Sequence, residues 1–250
     1  MLSNAIKTLL LILACFYMTY DSHALAPTVD DKVYQAGYFS FLAGDPNTKV
    51  DFTYGIALNR KYNFLFEYNQ TMFWELQSDS KPFRDINFNP LLVQELSFGS
   101  FLVRLGLLEH HSNGKDSTIS RSYNSSFIDL SGFSKTRSYK ISYGAKIKTF
   151  YSLGEYNKDI VDYLGHIEFY VYTNFYRHQD SSINEIRFNV TSSPGGEYDR
   201  LFKYGFEKID LILDMKNIPI NLHAQWYYGY GESLLQYDKR FNSIRVGISI

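Results

Sequence analysis

The chain has 250 residues, room for one large all-β domain or two small ones, and carries 25 Lys and Arg against 26 Asp and Glu. That balance leaves no basic excess to attract nucleic acid. Aromatic residues make up 18% of the chain, with 22 Tyr and 20 Phe against six Pro, and the only cysteine is Cys15, so no disulfide holds the fold.

The first element is "MLSNAIKTLLLILACFYMTYDSHALAP". A single Lys7, an apolar core from Leu9 to Tyr17 and small residues before Leu25 predict a secretory signal peptide, cleaved after Ala24. The apolar run falls short of the roughly 20 residues that span a bilayer. A competing reading takes "ILAC" as a lipoprotein site and Cys15 as the lipidated residue. Residues 25–250 form the mature domain. Cleavage removes Lys7 and Asp21, which leaves 24 basic and 25 acidic residues, and the exported chain has no thiol.

Beyond the signal, apolar residues alternate with polar ones in stretches separated by Gly, Asn, Asp, Ser and Pro. The pattern predicts strands near 33–42, 49–58, 62–76, 87–98, 101–112, 121–131, 137–150, 164–176, 184–193, 201–214, 219–229 and 242–250. Most run to about nine to fourteen residues, where globular strands cluster near five or six. A tilted membrane strand needs about nine to eleven. Short connections ("NRKYN", "FGS", "MKNIP") alternate with longer polar ones ("QSDSKPFRDI", "SNGKDSTISR", "SLGEYNKDIVDY", "YGESLLQYDKR"). The sequence therefore predicts an all-β fold: a transmembrane antiparallel barrel of about 12 strands, with short periplasmic turns and longer extracellular loops. A soluble carbohydrate-binding β-sandwich is the rival that strand length disfavours.

Between two of these strands lies "HHSNGKDSTISRSYN", residues 110–124. His110 and Ser112 are two apart, so they share a strand face at a spacing of about 6.6 Å. A hairpin symmetric about Ser117 sets Asn124 opposite His110, with Cβ atoms about 5 Å apart. One hairpin can thus align Ser, His and Asn, with His110 taking the Ser112 proton and Asn124 fixing the imidazole. Asn stabilises an imidazolium less than Asp does, so further help is expected.

The wording of this segment is more specific than its spacing. His110-x-Ser112-Asn113-Gly114, then Ser120-Arg121-Ser122-Tyr123-Asn124, resembles the signature of the outer-membrane phospholipase A family. "PFRDINFNP" at 82–90, and "GYGESL" at 229–234 followed by "RVGISI", resemble the same family in the same order. The resemblance implies a twelve-stranded, dimeric, calcium-dependent barrel of the cell outer membrane that hydrolyses acyl esters of glycerophospholipids and lysophospholipids. It makes Ser112 the nucleophile, His110 the general base and acid, and Asn124 the orienting residue. Backbone N–H groups around Ser112 and Gly114 would face the oxyanion. The Lys115 carbonyl and the Ser120 hydroxyl would hold Ca²⁺ with further ligands from other outer loops, a hard-oxygen set suited to that ion. Ser80 is a candidate among them; Glu155 and Asp159 could assist, against their reading as solvated loop charge.

The chain departs from the family pattern in three places. Lys115 stands where Arg is usual, Lys81 stands where a calcium-binding Ser commonly precedes "PF", and the last residue is Ile250 rather than an aromatic. One physical conflict also needs a solution. Strict alternation groups His110 and Ser112 with Arg104 and Gly106, yet a lipid ester must be met on the lipid face. An Arg facing lipid costs about 2–4 kcal/mol near the midplane, so the sequence predicts a bulge between Arg104 and His110.

Other residues read as structural. His111, on the face opposite His110, reads as an exposed polar side chain. Ser233 lacks the strand–turn–helix setting of a nucleophile elbow. Trp74 and Trp226 read as interface aromatics at outer strand ends. The remaining rival is a non-catalytic barrel, a porin or a structural protein that kept the hairpin.

Overall fold

The structure is a computed structural model that describes residues 37–59, 61–176, 181–196 and 202–250. The expected signal peptide and Cys15 lie outside the described residues, as does the start of the first predicted strand.

Twelve strands are present among the described residues: β1 (Gly37–Asp45), β2 (Thr48–Asn59), β3 (Phe64–Trp74), β4 (Phe83–Phe98), β5 (Phe101–Ser112), β6 (Ser122–Lys135), β7 (Tyr139–Tyr151), β8 (Ile167–Tyr176), β9 (Ile183–Gly195), β10 (Tyr204–Met215), β11 (Asn221–Gly229) and β12 (Phe241–Ser249). Each pairs antiparallel with its chain neighbours, and β1 closes on β12 from Ser40↔Ser249 to Asp45↔Ile244. Closure removes both sheet edges, so the wall leaves no unpaired edge strand in an apolar medium. Each predicted strand corresponds to one observed strand. The largest differences are β4, which starts at Phe83 rather than 87, and β6, which runs on to Lys135. The segments 75–82, 113–121, 152–166 and 230–240 share one end of the barrel with the two-residue turn 46–47, and the turns 99–100, 136–138 and 216–220 share the other. A one-turn helix, α1 (Ile160–Leu164), sits in the segment 152–166.

Alternation sorts the side chains by solvent. Leu130, Ile147, Phe169, Val171, Ile244 and Val246 are exposed on the outer wall. The inner wall carries charge: Arg245 is paired with Glu232 at 2.5 Å, Arg104 with Glu67 and Glu95, and Lys148 with Glu168 at 3.1 Å. Apolar outside and polar inside is the pattern of a barrel whose outer solvent is lipid. Buried charges of this kind persist only when paired, and here they are.

The predicted bulge is present. On the β6 side the register passes from Gly106↔Phe127 to Glu109↔Ser125; on the β4 side it shifts between Leu92↔Leu108 and Val93↔Gly106. β5 therefore holds one extra residue, and Leu107 and Leu108 are both exposed, at 45% and 49%. Gly106, just before the bulge, packs under the Phe127 ring: a Cβ there would lie 2.2 Å from a ring carbon. Upstream, Leu102 and Arg104 keep the inward face, with Arg104 in its ion pairs. Downstream, Glu109 is buried at 7% and His110 and Ser112 take the outer face.

Candidate active site

His110 and Asn124 are directly opposed residues of β5 and β6. His110 Nδ1 lies 2.7 Å from Asn124 Oδ1. An amide oxygen only accepts, so Nδ1 carries the proton and Nε2 is left as the basic nitrogen. Ser112 lies on the same outer face, two residues on, paired with Phe88 of β4 and Ser122 of β6. Its Oγ accepts the Gly114 N–H at 3.1 Å and makes no hydrogen bond with His110. The hairpin thus brings the three predicted residues to one face, but bonds only the His–Asn pair.

Gly114 is required by geometry. Its φ of +61° is in the left-handed region, and a Cβ would meet the Phe88 ring at 2.9 Å. Phe88 therefore walls the outer side of the Ser112–Gly114 turn.

The segment between β5 and β6 is shaped by Asn113, which is only 3% exposed. Its Oδ1 accepts the N–H groups of Arg121 at 2.9 Å and Lys115 at 3.3 Å, and its Nδ2 donates to the Ile119 carbonyl at 2.9 Å. One side chain thus closes the loop and gathers the N–H groups of Lys115 and Arg121 on one oxygen. Neither the Lys115 carbonyl nor the Ser120 hydroxyl accepts a hydrogen bond among the described residues. Two free neutral oxygens on one tight loop fit a hard cation.

The other candidate ligands are placed less closely. Ser80 and Glu155 are exposed and make no hydrogen bond or ion pair with this loop. Asp159 is exposed and accepts the Tyr237 hydroxyl at 2.5 Å. The Arg121 guanidinium lies over the Tyr237 ring at 5.8 Å, so Asp159 reaches the loop through that stack. Burial and the Asp159 hydrogen bond push the Tyr237 hydroxyl above its ordinary pKa. In the segment holding Ser80 and Lys81, hydrogen bonds from Arg84 hold the Glu75 carboxyl below the ordinary Glu range. No group of three or more His, Cys, Asp or Glu side chains that could hold a metal occurs among the described residues.

Behind the outer row is a second, inner one. His111 faces opposite His110 as expected, but it is half-buried in the lumen rather than exposed. It stacks on Tyr123 at 4.3 Å, with Nε2 3.2 Å from Glu109, which in turn accepts the Ser125 hydroxyl at 2.5 Å. Sequence reading missed this row because the partners that bury His111, among them Tyr123 across the hairpin, are set by packing inside the barrel.

Sequence reading also missed the anchors. Asn157, fully buried, binds both the N–H and the C=O of Ser122, at 3.2 and 2.9 Å, and docks segment 152–159 on the start of β6. Asp85 Oδ2 accepts Ser233 Oγ at 2.7 Å and the Leu235 N–H at 2.9 Å, while Asn87 Oδ1 accepts the Leu234 N–H at 3.1 Å. The "PFRDINFNP" and "GYGESL" stretches therefore bind each other, and Ser233 has the structural role expected of it. Trp74 and Trp226 donate to the Lys81 carbonyl and to Asn242 near the outer strand ends.

Comparison with known proteins places the chain in a family. The family model for phospholipase A1 matches residues 47–250. The phospholipase A1 of Proteus vulgaris is 27% identical over 193 residues, and that of Escherichia coli K12 is 28% identical over 194. In both, the match covers 73% of this chain and 60% of the relative, so the match spans about 60% of the curated relatives' length. Among solved structures, the calcium-bound dimer of the Salmonella typhi outer membrane phospholipase superposes with a TM-score of 0.69 at 20% identity, covering 89% of this chain and 93% of that one. Outer membrane phospholipase A from Escherichia coli gives a TM-score of 0.68 at 20% identity, covering 91% and 94%. The chain belongs to the phospholipase A1 family and has the fold of the outer-membrane phospholipase barrel.

Proposed function

We propose that this protein is a calcium-dependent phospholipase A of the outer membrane, which hydrolyses acyl ester bonds of glycerophospholipids and lysophospholipids as a homodimer. The observation that carries the reading is the His110–Asn124 hydrogen bond on the lipid side of the wall, on the same face as Ser112.

The chemistry follows from the residues. Rotation of the Ser112 side chain about Cα–Cβ moves Oγ from the Gly114 N–H toward His110 Nε2, and the same rotation frees that N–H to face an oxyanion. Ser112 Oγ attacks the acyl carbonyl carbon while its proton passes to Nε2. Asn124 accepts from Nδ1–H throughout and holds the ring and its tautomer. The tetrahedral intermediate expels the lysolipid oxygen, which takes the proton from His110, leaving an acyl ester on Ser112. Water then attacks this ester, giving its proton to His110; Ser112 recovers a proton and the fatty acid leaves.

Asn124 carries no charge, so the imidazolium and the oxyanion need outside support. Calcium, held by the Lys115 carbonyl and the Ser120 hydroxyl, would supply positive charge beside the oxyanion when bound. Ser80, Glu155 and Asp159 are the candidates for completing its shell. Two neutral ligands from one loop make a weak site for a divalent ion, and a dimer that contributes more oxygens would strengthen it. The Salmonella typhi neighbour, a dimer with bound calcium, supports that reading.

The test is hydrolysis of a micellar phospholipid by detergent-purified protein, with calcium or with chelator, for wild type and Ser112→Ala. Calcium-stimulated release of fatty acid by wild type alone is expected, with both proteins showing the same heat-modifiable migration. Equal rates for wild type and Ser112→Ala would end the proposal and leave a non-catalytic barrel.

A further inference from the structure

We infer that Asn89 is a positioning residue for His110, acting as a side-chain substitute for the hydrogen bond that Pro90 removes from the β4–β5 ladder. This rests on the functional reading above.

The ladder itself raises the question. β4 and β5 pair at Phe88↔Ser112 and again from Leu91↔Glu109, and between these pairs Asn89, Pro90, His110 and His111 are not paired in the register. By that register Pro90 stands opposite His110. Proline has no N–H, and within a sheet its partner loses a donor. Backbone N–H and C=O of one strand residue point to the same side, so a carbonyl aimed at β4 meets an empty place where the residue-90 N–H would be.

Asn89 fills that place. Its Nδ2 lies 3.1 Å from the His110 carbonyl oxygen and 3.1 Å from His111 Nε2. Its Oδ1 accepts from Asn69 Nδ2 of β3 at 3.1 Å, which fixes the amide orientation from the far side. The amide is thus held between three strands, with a donor on the backbone of the residue whose imidazole faces Asn124. The break lies next to the β5 bulge, where the ladder shifts again between Leu92↔Leu108 and Val93↔Gly106. Without Asn89, His110 would sit in a strand segment with bulge on one side and no β4 donor on the other. A carbonyl left without its donor is free to tilt, and that tilt rotates the imidazole off the Asn124–Ser112 line.

The test is a cycle of Asn89→Leu, Pro90→Ala and the double variant in the full barrel. Leu keeps the branched four-heavy-atom outline of Asn and has no donor; the Pro90→Ala change restores the backbone N–H. Asn89→Leu should lower kcat roughly tenfold, the worth of one internal acceptor left unpaired, with KM unchanged. In the Pro90→Ala background the same substitution should cost less than about twofold, because the ladder bond no longer depends on the side chain. Should Asn89→Leu cost as much in the Pro90→Ala background as in wild type, or nothing in wild type, the inference is overturned. A second reading of the cycle needs no activity. The urea midpoint of heat-modifiable migration should fall for Asn89→Leu and recover in the double variant, and additive shifts would overturn the inference too. If wild type and Ser112→Ala hydrolyse lipid equally, the functional reading fails, while this midpoint cycle still decides whether Asn89 replaces the Pro90 bond.

Discussion

His110 and Asn124 meet as directly opposed residues on the outer face of β5 and β6, with Nδ1 and Oδ1 2.7 Å apart. Hairpin register alone sets this contact. It places the basic nitrogen of His110 away from Asn124, on the face that Ser112 shares. Asn124→Ala removes the acceptor but leaves the strands paired. The kcat should fall about tenfold, equivalent to about 1.4 kcal/mol, with KM and heat-modifiable migration as in wild type. Wild-type kcat in this variant would remove Asn124 from the proposed row.

The extra residue of β5 decides which solvent the row meets. Deleting Leu108 takes out that extra residue, and strict alternation from Arg104 then still turns Glu109 and His111 to the lumen and His110 and Ser112 to lipid. Labelling of Ser112 by a fluorophosphonate should therefore proceed as in wild type. A deletion variant that folds but labels roughly 100-fold more slowly, as expected for a misplaced nucleophile, would show that the bulge does more than set the phase of the strand.

Asp85 joins β4 to the segment between β11 and β12, accepting from Ser233 Oγ and the Leu235 N–H. Asp85→Ala leaves both donors unpaired beneath the outer loops and should cost about 3 kcal/mol, whereas Ser233→Ala should cost about 1 kcal/mol. Urea titration of heat-modifiable migration measures both. Equal losses for the two would mean that the carboxylate acts through Ser233 alone.

Tyr237 gives the outer loops an alkaline limit. Burial, with help from the Asp159 hydrogen bond, raises its pKa in the folded state, so the folded protein keeps a proton that the unfolded chain loses first. The stabilisation is complete below the ordinary Tyr value of 10.0 and is lost as pH rises through and above it. Tyr237→Phe should flatten the fall in unfolding midpoint above pH 10 while lowering the midpoint at neutral pH, through loss of the Asp159 bond. An unchanged alkaline slope would assign that limit to other groups.

Much of this was legible before any coordinates. Strand number and order, the split between short and long connections, and the opposition of His110 and Asn124 follow from period-2 patterning and hairpin symmetry, both local properties. Even the bulge was expected, because Arg104 could not face lipid on the same face as a Ser112 that the resemblance sets against a lipid ester. What stayed hidden were contacts between residues distant in sequence: Asp85 with Ser233, Asn157 with Ser122, and Asn89 with His110. His111 was misread as exposed because the Tyr123 ring and the Glu109 carboxylate that cover it belong to packing inside the barrel.

By itself, the sequence determined a closed wall of twelve strands and the three side chains that can line up on one hairpin, because alternation and turn spacing act within a few residues. Only the tertiary structure decided that the bulge falls at Leu107 and Leu108, that Ser112 Oγ rests on the Gly114 N–H, and that a side chain stands in for the missing N–H of Pro90. The bulge and the Asn89 contact depend on how β4, β5 and β6 pair, and the Ser112 contact on the left-handed turn at Gly114; no pattern of alternation states either.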